Sequence, residues 1–273
     1  MRSSDPSAKP GSHTRATTRY WDAVGAEWQR SRPSSLWREH SDAINRSLVE
    51  RWLPASGLRR SLKTDAFDEA VGVGIAPGLA ERAGAVVSID LAISTLRAAT
   101  RDAPTSGVVA DVRALPFSEE SFDAVVSNST LDHFEDDADI DVSLSELARV
   151  MTPRGRLVVT MDNPQNPIVS LRNILPFEWL HRIGLVPYRY GATTDRFRLR
   201  ERLESAGFAV ERIETVLHCP RVLAIPLASW AERALGPSGR ARLRGALGAF
   251  ERLATWPSRF RTAHFIVALA ERR

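Results

Sequence analysis

Between Ala85 and Met161 the chain repeats one unit: a short apolar run that stops at a polar residue, a helical stretch or turn, then another apolar run. Ala85-Val86-Val87-Ser88-Ile89 ends in Asp90, and Leu91 to Arg101 reads as helix. Gly107-Val108-Val109-Ala110 ends in Asp111, and Ser121 to Asn128 is a third run. Ile140 to Met151 is amphipathic, with Leu144, Leu147, Ala148 and Met151 on one face, and Pro153-Arg154-Gly155 predicts a turn into a strand over Arg156–Met161. Short buried strands alternating with helices require an open parallel sheet covered on both faces. Around this centre, residues 1–18 are polar and are expected to be a disordered tail. Tyr20 to Trp52 reads as helix with a break near Arg32-Pro33-Ser34-Ser35, so residues 19–57 form a helical cap. The α/β domain then runs over 58–273, with insertions at about 163–198 and 220–258. Within it, Leu199 to Ala206 is a helix closed by Gly207, and Phe208 to Val216 alternates as a strand. Leu227 to Trp256 is two helices split at Gly236-Pro237, with Leu243, Leu247, Phe250 and Leu253 on one stripe, and Thr262 to Leu269 is the last strand.

The composition, 43% apolar and 26% charged over 273 residues, excludes a largely disordered chain. No apolar run approaches 18 residues, so no membrane span is expected, and the first stretch lacks a signal core. Cys219 is the only cysteine, which excludes an intrachain disulfide and a cysteine-based zinc cluster. A cytoplasmic location is expected, and no metal. The net charge of +4 hides a split: residues 1–180 carry 20 basic and 25 acidic side chains, net −5, while residues 181–273 carry 17 and 8, net +9. Lys9 and Lys63 are the only lysines, so the surplus is arginine. Such a face serves an anionic substrate, a nucleic acid, a membrane surface, or simply solvation.

Ligands of open parallel sheets bind outside the carboxyl ends of the strands, so strand-end residues carry the information. Asp90 and Asp111 stand at two successive ends. The first suits the two hydroxyls of a ribose and the second an adenine amino group; the alternative is that each caps a helix N-terminus. Gly72-Val73-Gly74-Ile75-Ala76-Pro77-Gly78 offers a glycine loop upstream. Pro77 stands where a dinucleotide fingerprint needs its third glycine, which disfavours a nicotinamide cofactor.

Asp90 to Leu96, Asp111-Val112-Arg113-Ala114-Leu115-Pro116-Phe117 and Ser121 to Asn128 resemble consecutive motifs of the class I S-adenosylmethionine-dependent methyltransferases, in the small-molecule branch related to ubiquinone and menaquinone methyltransferases. Glu146 to Leu157 resembles the helix and turn before that family's fifth strand, and Ala206-Gly207-Phe208 the entry to its sixth. The resemblance implies a Rossmann-like sheet of about seven strands, mostly parallel with an antiparallel last strand, and S-adenosylmethionine as cofactor. It makes Asp90, followed by Leu91, the ribose ligand, sets Asp111 and Val112 around the adenine, and places Asn128 beside the methionine part. The first motif departs from the family pattern and reads two ways. Either the glycine loop of Gly72 and Gly74 follows a strand ending near Ala70, or Arg60 to Thr64 is the first strand. In the second reading Asp65 or Glu69 faces the cofactor's amino end, with the glycines beyond.

The resemblance implies methyl transfer to O, N or C of a small, apolar or amphipathic acceptor. His133 is the candidate base, since histidine titrates near neutrality; the alternative is that it lines the cofactor or caps a helix. Tyr20 and His40 of the helical cap, and Asp162 and Asn163 after the fifth strand, are candidate substrate contacts. Two other readings remain: a cofactor-binding protein of the same fold with a regulatory or non-methylating role, and an RNA methyltransferase using the basic last third. The absence of a separate RNA-binding module argues against a nucleic-acid partner. The oligomeric state is not legible.

Overall fold

The computed structural model describes residues 10–31, 35–186 and 188–273. Helices α1 (Pro10–Ser31) and α2 (Ser35–Trp52) open the chain. Pro10 to Thr18, expected in a disordered tail, therefore belong to a helix; residues 1–9, and 32–34 at the expected break, lie outside the described residues. Next come β1 (Leu58–Lys63), α3 (Phe67–Val71), α4 (Ala76–Ala80), β2 (Ala83–Asp90), α5 (Ile93–Asp102), β3 (Ser106–Val109) and β4 (Phe122–Asn128). The chain continues through α6 (Asp137–Val150), β5 (Met151–Asp162), α7 (Pro167–Ile174), α8 (Phe177–Arg182), α9 (Arg196–Ser205) and β6 (Phe208–Val216). It ends with α10 (Arg221–Ala234), α11 (Pro237–Ala249), α12 (Arg259–Thr262) and β7 (Phe265–Arg272).

The strands form one sheet in the order β3-β2-β1-β4-β5-β7-β6. Pairs among β1 to β5 are parallel, and β7 runs antiparallel to both neighbours, as the resemblance implied. Successive strand residues face opposite sides, so each strand feeds two cores. Val86, Val126, Val158 and Val267 pack on one side with Leu48, Val49 and Trp52 of α2. Val87, Val125, Leu157, Val159 and Ile266 pack on the other with Leu144 and Leu147 of α6 and Leu199 and Leu203 of α9. The order reverses between β1 and β4, which opens a crevice beyond their carboxyl ends.

Three expectations shift. Pro153-Arg154-Gly155 is an irregularity inside β5, not a turn before it: Met151 already pairs with Phe122, and Arg154 takes a positive φ of 63° where the register slips. Thr262 ends α12, and the last strand begins at Phe265. Of the stripe expected on the late helices only Leu247 is buried; Phe250 is 41% exposed. The charge split is partly spent inside the molecule. Arg202 meets Asp137 and Asp141, Arg244 meets Glu39, and Arg272 meets Glu120, each joining the basic last third to the acidic first part. Among the described residues no helix is long and apolar enough to cross a membrane.

Candidate active site

The crevice holds a cavity of about 720 Å³, the size of a small-ligand site. Its floor starts at the end of β1. Lys63 is fully buried there, and its Nζ meets Asp65 Oδ1 and Glu69 Oε2, each at 2.9 Å. From α2, Arg38 holds Asp42 at 3.0 Å and also pairs with Asp68. Asp68 Oδ2 accepts from Asn128 Nδ2 at 2.8 Å, and Asn128 Oδ1 accepts from Thr160 at 2.9 Å. Four carboxylates thus share two cations in a desolvated cluster. Burial pushes the Asp65 carboxyl up to about 7, with Lys63 opposing and Asp68 and Glu69 reinforcing the rise. Burial acts the same way on Asp68, but Arg38 and Lys63 outweigh it and hold that carboxyl below its ordinary range. Asp65 Oδ2 is buried without a hydrogen-bond partner, and Asp65 lines the cavity.

At the next two strand ends the expected aspartates line the same cavity, with Leu91 and Val112 beside them. Asp90 Oδ1 accepts from Ala92 N at 2.8 Å and Oδ2 from Ala66 N at 3.1 Å, which ties the loop after β1 to the tip of β2. Burial raises its pKa. It does not cap α5; Asp22 of α1 accepts from Ser94 N in that helix's first turn. Asp111 caps no helix either. Arg113 grips its carboxylate through Nε and Nη2, at 3.0 and 2.6 Å, and reaches Asp139 at 2.8 Å. Burial would raise Asp111, but the hydrogen bonds of Arg113 outweigh it and hold the carboxyl below its usual range.

Helix α1 and the segment after α8 close the cavity. Tyr20 lines it, and its hydroxyl accepts from Arg189 N at 2.7 Å. His133 sits in a single 3-10 turn with its ring edge-on to Trp21 (4.9 Å between centroids) and Tyr188 (5.5 Å). Trp28 completes the cluster, 5.0 Å from Phe67 and 6.0 Å from Tyr188. The Nδ1 of His133 is buried and has no partner. Asp132 makes no hydrogen bond to it among the described residues: the buried carboxylate accepts from Ser129 Oγ at 2.9 Å and from Asp162 N at 3.0 Å. Burial and the nearby Asp162 push Asp132 up to about 6.

Six expected site residues lie elsewhere. Glu69 turns inward, where Oε1 accepts from Ile75 N at 2.8 Å and Ala76 N at 3.0 Å. Gly72 and Gly74 follow it rather than the first strand, because that strand is Leu58–Lys63; of the two alignments, the one starting at Arg60 is the structure's. These glycines make room for carboxylates. A Cβ on Gly74, whose φ is +64°, would stand 2.2 Å from Glu69 Oε1, and one on Gly72 would stand 2.8 Å from Asp42 Oδ2. Gly74→Ala is therefore expected to destabilise the fold by about 1–3 kcal/mol in urea unfolding. His40 is buried against Cys219, with Nε2 3.5 Å from Sγ. Asp162 is clamped by Arg172 at 2.7 Å and His264 at 3.1 Å. Asn163 donates to the carbonyls of Phe260 and Ala263 and ties β5 to α12. The sequence reading gave no role to Arg38, Tyr188 or Arg221 and placed Asp68 only within the candidate first loop; all four line the cavity. Only the Phe67-Asp68-Glu69 run, too acidic for a strand interior, signalled one of them.

Aspartates near consecutive tips of this sheet, above a floor of four carboxylates and two cations, stand in the ligand crevice of a Rossmann-like domain. Residues 68–159 match a methyltransferase domain family. A demethylmenaquinone methyltransferase of Thermus thermophilus is 36% identical over 170 residues, which cover 53% of this chain and 74% of that protein. A biotin biosynthesis bifunctional protein of Saccharophagus degradans is 29% identical over 67% of this chain, but the chain spans only 34% of its length. An S-adenosylmethionine-dependent methyltransferase of Mesorhizobium loti has the same fold, with a TM-score of 0.54 at 17% identity, over 83% of this chain and 96% of that one. The chain belongs to the class I S-adenosylmethionine-dependent methyltransferases, in the branch related to the ubiquinone and menaquinone enzymes. It is an enzyme of the small-molecule type with S-adenosylmethionine as its cofactor.

Proposed function

We propose that the enzyme methylates O, N or C of a small apolar or amphipathic acceptor held under α1. The observation that carries this reading is Asp65 Oδ2, a buried carboxylate oxygen without a partner, in a cluster where four carboxylates meet two cations. A cationic amino acid end satisfies that oxygen and balances the cluster. Asp90 and Leu91 receive the ribose, Asp111 and Val112 the adenine, and Asn128 lies beside the methionine part. When bound, the cofactor supplies an electrophilic methyl group on a sulfonium. The protein excludes water and aligns the acceptor. Trp21, Phe67 and Tyr188 give the acceptor aromatic walls, which suit a ring of the kind named for the Thermus relative. Tyr20 positions the roof through Arg189. His133 takes the proton that an O or N acceptor releases, and no protein hydrogen bond at Nδ1 fixes its tautomer.

Calorimetry with S-adenosylmethionine and S-adenosylhomocysteine, followed by transfer of labelled methyl across an acceptor panel, tests the reading. Both ligands are expected to bind, and binding of neither to folded protein overturns it. The Asp65 carboxyl adds a pH signature. It sits near 7 in the free protein, so at pH 6 most of it is neutral. A cationic ligand favours the ionised form, so binding expels that proton and tightens as pH rises. Between pH 6 and 7, where the ligand's ammonium stays charged, affinity for S-adenosylmethionine is expected to rise about fivefold. Asp65→Asn should flatten this profile, and a wild-type affinity constant over that range removes Asp65 from the cofactor site.

A further inference from the structure

Four described arginines line the cavity, and three are already paired. Arg38 holds Asp42 and Asp68, Arg113 holds Asp111 and Asp139, and Arg189 lies 3.6 Å from Glu135. Arg221, the first residue of α10, has no carboxylate within ion-pair distance among the described residues. Its Nη1 lies 2.8 Å from His264 Nε2, and its guanidinium carbon sits 5.9 Å from the Trp37 ring and 5.7 Å from the Phe265 ring. Burial and the charge of Arg221 press His264 down to about 4, so this partner is neutral at ordinary pH. Asp162 is held by Arg172 at 2.7 Å; its Oδ1 lies 3.1 Å from the same His264 Nε2, and its charge also reaches Arg221.

Arg221 stands by β6 and β7, across the sheet from Asp90 at the end of β2 and Asp111 after β3. Tyr188 lies in the same cavity, and its charged neighbours are Arg221 and Arg38 on one side of the balance and Asp162 and Asp132 on the other. Its ring is held edge-on or tilted against Trp21, Trp28 and His133, and none of the described hydrogen bonds engages its hydroxyl. This guanidinium lies near two aromatic rings with no carboxylate in ion-pair contact among the described residues, and its fork matches a carboxylate with two parallel bonds.

We propose that the acceptor bears a carboxylate on a planar ring, the carboxylate bound by Arg221 and the Tyr188 hydroxyl and the ring set against Trp21 and His133. This rests on the methyltransferase reading of the cavity. The charge of Arg221 then fixes which end of the acceptor points away from the cofactor, and the ring is presented to His133.

Benzoate, benzamide and benzylamine share one ring size and differ in charge, so they serve as probes. Calorimetry uses the full chain, first titrated with S-adenosylhomocysteine and then saturated with it. Benzoate is expected to bind at least tenfold more tightly than either of the others. Arg221→Gln should abolish that preference, Arg221→Lys should keep part of it, and Tyr188→Phe should weaken benzoate several-fold, all with unchanged S-adenosylhomocysteine affinity. A merely structural Arg221, bracing β7 through His264, predicts a lower melting temperature for Arg221→Gln with the wild-type order of probes. Equal binding of benzoate and benzamide, preference for benzylamine, no benzoate binding, or unchanged benzoate affinity in Arg221→Gln each overturns the proposal. S-adenosylhomocysteine binding in the first titration separates these failures from failure of the methyltransferase reading, which shows as no binding there and removes the proposal with it.

Discussion

Alanine at position 90 is expected to weaken S-adenosylhomocysteine binding about 100-fold, or ~2.7 kcal/mol. Each oxygen of Asp90 already accepts one backbone amide, from Ala92 and from Ala66, and each keeps a second acceptor site for a ribose hydroxyl. A hydrogen bond to a charged group is worth ~1.5–3 kcal/mol, and two are lost together. The truncation also frees Ala66 N, and with it the loop that carries Asp65, so the adenosine and amino acid ends weaken at once. Asp90→Asn retains one acceptor oxygen and should lose about tenfold. Asp111→Ala is expected to cost less than Asp90→Ala, because Arg113 already occupies much of that carboxylate. Calorimetry on variants with wild-type circular dichroism measures all three. An Asp90→Ala protein that binds S-adenosylhomocysteine within threefold of wild type takes the ribose away from β2.

The contrast between these two aspartates marks what a sequence discloses. A strand end followed by Asp is a local pattern, so Asp90 and Asp111 were legible from the runs before them, Asn128 came from the family resemblance, and the structure brings all three to one cavity. Asp65 is named beside Glu69 for the acidic position that the resemblance implies, once the first strand is placed at Arg60–Thr64. Glu69 and the glycines misled because their chemistry is ambiguous at short range. A carboxylate beside Gly-x-Gly looks like a ligand cradle, whereas here the glycines admit Asp42 and Glu69 to the backbone amides of residues 73–76. Asp162 ends a strand and Asn163 follows it, but Arg172 and the carbonyls before β7 claim them. Their partners arrive from residues 10 to 100 positions onward, and no local pattern announces them.

The same distance hides the acceptor side. Tyr188 and Arg221 belong to segments whose sequence shows neither strand nor strong helical period, and they meet the cavity only because the segment after α8 and the start of α10 reach it. Arg38 reads as one more surface arginine on an amphipathic helix until Asp68, thirty residues later, pairs with it. Long-range ion pairs set the charge of this site.

Lys63→Met tests that statement at its largest effect, an expected loss of ~3–5 kcal/mol of stability in urea unfolding. Lys63 is the fully buried last residue of β1, and its Nζ reaches Asp65 Oδ1, Asp65 O and Glu69 Oε2. Methionine fills most of the space but leaves Glu69 ionised or protonated without its cation, while Oε1 still accepts from Ile75 and Ala76. The penalty is that of an uncompensated buried charge, not the worth of one contact, and it takes a large share of a stability of ~5–15 kcal/mol. Charge explains the loss only if neutralising the partner repairs it. Lys63→Met with Glu69→Gln is therefore expected to recover at least ~1 kcal/mol over Lys63→Met alone, because the glutamine amide oxygen keeps both backbone donors satisfied. If the double variant is no more stable than the single one, packing at the end of β1 governs the cost.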